Sequence, residues 1–101
     1  MANRHLVPKK LKLGQLVQTA GVAARVAEDP AFELHVLASI VRHAQRDWGN
    51  LCEEDKKLND EAFESGEARI LSAYEEVGMP KIWIITEWDR SVTTVLFPDE
   101  Y

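Results

Sequence analysis

The residues of this chain best equipped for chemistry are His43, Glu87 and Arg90. An imidazole titrates near neutral pH and can give or take a proton. A carboxylate can act as the base, and a guanidinium can clamp a phosphate through two parallel hydrogen bonds. Together they are the parts of a small metal-independent nuclease or a toxin-like enzyme, although their spacing is not diagnostic. His43 also lies one helical turn before Asp47, and such a pair can orient an imidazole. A second group of residues suits binding instead. Glu87-Trp88-Asp89-Arg90 interrupts a strand-like run and reads as a turn, and Asp47-Trp48 follows a helix. An aromatic side chain flanked by charges, if exposed, is the kind of anchor that marks interfaces. The candidate partner-binding residues are therefore Asp47, Trp48, Glu87, Trp88, Asp89 and Arg90.

Composition narrows the classes of function. The net charge is −5, which disfavours nucleic acid as the main partner, because phosphate affinity needs a basic surface. A basic arm over residues 1–10, with Arg4, His5, Lys9 and Lys10, is expected to be flexible. The acidic run from Glu53 to Glu67 is interrupted by Lys56 and Lys57. It reads as a solvated helix face rather than a DNA mimic. A single cysteine, Cys52, excludes an internal disulfide and fits the reducing cytoplasm. No paired His or Cys ligands are spaced for a metal, and no cofactor motif is present, so neither a metal nor a cofactor is expected. No apolar run approaches the roughly 18–20 residues that span a bilayer. The length of 101 residues allows one domain with a thin core.

The elements that must position these residues follow from periodicity. Leu11 to Val17 reads as a short strand, in which Gly14 marks a weak point or a close approach of backbone. Thr19 caps a short helix over residues 21–27. Asp29-Pro30 opens a helix to about Gln45, with Phe32, Val36, Ile40 and Ala44 on one face and Leu37 and Val41 widening the buried stripe. Gly49 is expected to provide its left-handed cap. A further helix runs from Glu53 to Ser65, with Leu58 and Ala62 facing inward, and Gly66 ends it. Asp55 and Asn59 lie beside that stripe and need polar partners. Cys52 stands where a capping hydroxyl is expected, so this helix start is weakly capped. Three strand-like segments close the chain, at residues 69–75, 82–86 and 93–97, joined by tight turns. Both faces of 82–86 are apolar, which places it centrally. The fold expected is α+β, with N-terminal helices packed on a C-terminal three- to four-stranded antiparallel sheet.

The segments "LGQLVQTAGVAA", "RHAQRDWGNLCEEDKKLNDEAFESGEARILSAY" and "IWIITEWDRSVTTVLFPDEY" resemble a family of small bacterial proteins carried on plasmids, phages and genomic islands. Some of these are labelled "plasmid-related protein" or "type I restriction endonuclease subunit M". The likeness runs from about Leu13 to Tyr101. A methyltransferase subunit needs a glycine-rich cofactor loop and an Asn- or Asp-Pro-Pro-aromatic motif, and this chain has neither, so the label implies genetic neighbourhood rather than methylation. The departures are local: Thr19-Ala20-Gly21 stands where the family often has Thr-Pro-Gly, Arg46 where it often has glycine, and Cys52 where it favours Ser or Thr. The resemblance implies a non-catalytic interaction protein of a mobile genetic element. Such a protein binds and modulates a host or element-encoded complex, for example a restriction or CRISPR defence system. A homodimer paired through a sheet edge remains open.

Overall fold

The computed structural model describes residues 9–101. The expected basic arm therefore falls mostly outside the described residues, and only Lys9 and Lys10, both exposed, lie within them. The elements run β1 (Gln15–Gln18), α1 (Ala20–Glu28), α2 (Pro30–Ala44), α3 (Glu53–Ser65), β2 (Ile70–Tyr74), β3 (Ile82–Thr86) and β4 (Val92–Leu96), with a final 3-10 turn at Pro98–Glu100. The class is α+β. The sheet is mixed, however, rather than antiparallel. Its order is β1-β4-β3-β2, and β1 runs parallel to β4. The reason is connectivity. β2, β3 and β4 form a meander of antiparallel neighbours, whereas β1 is separated from β4 by all three helices and two strands. It returns to the free side of β4 by a crossover, which allows a parallel pairing.

Local chemistry accounts for the helix limits. The Val22 amide donates to Thr19 Oγ1 at the start of α1, and the Phe32 amide donates to Asp29 Oδ1 at the start of α2, with Pro30 in the first turn. Arg25 ties the two helices by donating to Asp29 at 3.0 Å. Cys52 gives α3 no side-chain cap, and an acidic first turn of Glu53, Glu54 and Asp55 complements the helix dipole in its place. The left-handed residue that directly follows α2 is Arg46, at φ 66°, ahead of the expected Gly49, which is left-handed too at φ 73°. Arg46 thus adopts a backbone geometry that favours glycine. Gly49 is needed for a second reason as well. A Cβ there would lie 2.0 Å from the Ala73 carbonyl oxygen, because the loop runs directly against β2. Gly14 is a close approach of the same kind, against the Ser91 carbonyl.

One face of the sheet carries the helices. Val22, Phe32 and Val36 pack on Tyr74, Ile82, Ile84 and Val95. Beside them Leu11, Trp48, Ala62 and Ile70 form a second cluster under α3. β3 is central, and its other face is also shielded. Ile85 is buried there, and Trp83 is half-buried with the Tyr101 ring edge-on to it. Three expected core residues lie outside the core: Leu37, Val41 and Leu58 are all more than half exposed. α2 and α3 turn narrower faces inward than their apolar patterns suggest. The inward positions of α2 include Ser39 and His43, and those of α3 include Asn59.

Candidate functional site

His43 is fully enclosed, with 0% of its surface exposed. α2 places it in its last turn, over the facing hydroxyls of β2, β3 and β4. Its Nδ1 meets Ser72 Oγ at 2.5 Å and its Nε2 meets Thr86 Oγ1 at 2.8 Å. Thr86 in turn meets Thr93 Oγ1 at 2.7 Å, and the Thr93 hydroxyl donates to the Leu13 carbonyl at 2.7 Å. The carbonyl at the end fixes the direction of the whole chain of bonds. Thr93 donates to Leu13, so Thr86 donates to Thr93. His43 then donates from Nε2 to Thr86. Burial keeps the ring neutral, because desolvation lowers its pKa from 6.5 to about 4. With the proton on Nε2, the bare Nδ1 accepts from Ser72.

The expected His43–Asp47 pair is not formed. Asp47 instead accepts from Arg42 Nε at 2.7 Å and Nη2 at 3.2 Å, and from the Gly49 amide at 3.1 Å. These bonds hold its carboxyl below the usual range. Its carbonyl accepts from the Tyr74 hydroxyl at 2.7 Å, and Arg42 lies over the Tyr74 ring. Trp48, expected at the surface, is a core residue, 3% exposed. Its ring stands edge-on to His43, and its Nε1 donates to Asp60 Oδ1 at 2.9 Å. Asn59 donates to the Leu71 carbonyl at 2.8 Å, while Asp55 is exposed.

Arg90 is likewise committed inside the protein. Nη1 donates to the carbonyls of Ala68, Glu87 and Trp88 and Nη2 to that of Ala62, at 2.6 to 3.2 Å. It ties the last turn of α3 and the strand entry at Ala68 to the β3–β4 turn. His43, Glu87 and Arg90 therefore do not open onto a shared cleft: the imidazole is sealed, and the guanidinium is spread over four carbonyls.

The β3–β4 turn differs from the Asp47-Trp48 loop in what it exposes. The Arg90 amide donates to the Glu87 carbonyl at 2.9 Å, and Arg90 adopts φ 61°. This is a tight turn closed by a left-handed residue, a common hairpin solution. Asp89 Oδ1 accepts from the Ser91 amide at 3.0 Å and the Ser91 hydroxyl at 2.6 Å, and both hold its carboxyl below the usual range. The turn is thus bonded from three directions, and Trp88 projects from it with 62% of its surface exposed.

Sequence reasoning missed Ser72, Thr86, Thr93 and Asp60. The signal for the first three was alternation. Ser72, Ile84, Thr86, Thr93 and Val95 share one sheet face, and hydroxyls among buried aliphatics require a common partner. No three His, Cys, Asp or Glu side chains are grouped to hold a metal ion among the described residues. No described helix is long and apolar enough to cross a membrane. No protein-family model matches this chain, and neither a curated protein nor a solved structure is similar to it.

Proposed function

We propose that this protein is a non-catalytic interaction protein of a mobile genetic element. It binds and modulates a host or element-encoded protein complex in the cytoplasm, with restriction and CRISPR defence systems as the class of target. The observation that carries the reading is Trp88, a large aromatic side chain held in solvent by a turn that is fixed from within. A rigid exposed Trp loses little conformational entropy on docking, which is why such residues dominate binding energy. Exposed Asp89 and half-buried Glu87 supply a charged rim, and Arg90 serves the same surface by setting the turn. Of the Asp47-Trp48 pair, Asp47 is exposed and Trp48 is buried, so Trp48 contributes to the surface through support alone. The resemblance to mobile-element proteins and the net charge of −5 favour a protein partner over nucleic acid. The nuclease alternative needs an accessible imidazole, and the enclosure of His43 gives it no support.

The test is affinity purification of the tagged protein from cells that carry the element, beside Trp88→Ala and, as a surface control, Lys57→Ala. The expected result is a stoichiometric partner that Lys57→Ala retains and Trp88→Ala loses. Absence of a partner, together with RNA cleavage that His43→Ala abolishes, would reverse the assignment.

A further inference from the structure

The two edges of the sheet are treated differently. The outer edge of β2 is closed. Ala73 donates to the Trp48 carbonyl and accepts from the Asn50 amide, Leu71 accepts from Asn59, and the Glu75 amide donates to Asn50 Oδ1. On the other edge, the Gln15 amide donates to Ser91 and the Thr19 amide to Val95. In a parallel ladder this phase turns the main chain of Gln15, Val17 and Thr19 toward β4, and that of Leu16 and Gln18 outward. Among the described residues no strand meets those groups. Natural edges are usually guarded by charge, proline or a bulge, and Gln15-Leu16-Val17-Gln18 has none of these.

The apolar surface beside this edge is continuous with it. Leu16, 47% exposed, and Leu37, 53% exposed, line one groove of about 290 Å³ between β1 and α2. Leu34 and Val41 extend it along α2 at helical spacing. These four residues expose on the order of 400 Å², within the range of the largest apolar patch on a typical domain, which is often a functional one.

We propose that β1 pairs with β1 of a second copy of this chain, making one continuous sheet through a two-fold axis at Val17. The main chain argues for a strand as the occupant, and three features argue for this strand. The outward residues, Leu16 and Gln18, are two apart, so an antiparallel copy sets Leu16 against Gln18 of its partner, and each pair exchanges both main-chain bonds. The segment is uncharged, so it self-pairs without like-charge repulsion in a chain of net charge −5. The apolar patch supplies about half of the roughly 800 Å² that each partner gives to a standard interface, and the edge main chain and both glutamines lie beside it. The proposed contact uses none of the residues of the Trp88 turn. The pairing is independent of what that turn binds.

The test is sedimentation of the full chain, with circular dichroism to monitor the fold. Gln18→Pro removes an amide that bonds nothing among the described residues, so it is aimed at the intermolecular ladder. Leu37→Glu puts a second carboxylate, besides Glu33, into the groove at an exposed position. The proposal expects a dimer at about 100 μM, weakened at least about tenfold by either variant with an unchanged spectrum. In a Cys52→Ser background, Val17→Cys meets its own copy across a non-hydrogen-bonded pair with Cα atoms about 4.5 Å apart, within disulfide reach. It should therefore crosslink faster than Leu16→Cys, whose copies sit on the diagonal. A monomer at that concentration, a dimer that neither variant weakens, or equal crosslinking at both positions would overturn the proposal.

Discussion

Mild acid should unfold this protein through His43, before most carboxylates titrate. In the unfolded chain an imidazole titrates near 6.5, whereas enclosure in the fold lowers His43 to about 4. Between those values the unfolded chain binds a proton that the fold refuses, so stability falls as pH falls. The contribution is complete above pH 6.5 and exhausted below about 4. Over the whole window it amounts to about 3 kcal/mol, of which about 2 kcal/mol is lost between pH 7.5 and 5. For a domain this small, with a urea slope of about 1 kcal/mol/M, the unfolding midpoint should drop by about 2 M over that range. His35 is also lowered, chiefly by burial, and adds in the same direction. Asp29, Asp47, Asp89 and Glu100 are all held below the usual carboxylate range, and their losses come at lower pH. The assay is urea unfolding followed by Trp fluorescence from pH 7.5 to 4.5, in the natural chain and in His43→Gln and His35→Gln. His43→Gln should be less stable at pH 7.5 and much flatter below it, while His35→Gln should keep most of the slope. A natural chain with no pH dependence between 7.5 and 5, or a His43→Gln slope equal to its own, would refute the assignment of a neutral, enclosed imidazole.

Two backbone positions give further tests. Arg90→Ala removes the donors to four carbonyls and should cost about 2–3 kcal/mol in thermal or urea unfolding. Arg90→Lys should restore little of it, because an ammonium cannot reproduce the planar fork. At Arg46, where φ is 66°, glycine relieves the left-handed strain but gives up the stacking of the guanidinium on Phe63. Arg46→Gly should therefore change stability by less than about 1 kcal/mol, and Arg46→Ala, which loses the stacking and keeps the strain, should melt lower than Arg46→Gly.

The parts of the fold legible in the sequence were those with local causes. Thr19, Asp29-Pro30 and Gly66 punctuate the helices where expected, and alternation located β2, β3 and β4. The direction of β1 was not legible, because a four-residue strand carries no mark of which neighbour it will join. Helix faces were legible only in part. Apolar periodicity on α2 is nearly all-round, so pattern alone could not separate Val36, which is buried, from Leu37 and Val41, which are not. The candidate site divides in the same way. Trp88 was legible as an aromatic residue in a turn. Trp48 was not legible as core, because its partners Asp60 and His43 meet it only through the packing of α2, α3 and the loop between them. The pairing of His43 depended on Ser72 and Thr86, which are distant in sequence and visible only once strands are registered.

The most direct measurement of the central claim is the affinity of the purified partner complex for the natural chain and for Trp88→Ala, by calorimetry at one salt concentration. Trp88 makes no side-chain hydrogen bond among the described residues and is mostly exposed, so the variant should fold with stability within about 0.5 kcal/mol of the natural chain. The account predicts a loss of affinity of about thirtyfold or more, as expected for an interface anchor. A change of less than about threefold in a correctly folded variant would contradict it, because the turn would then carry little of the binding.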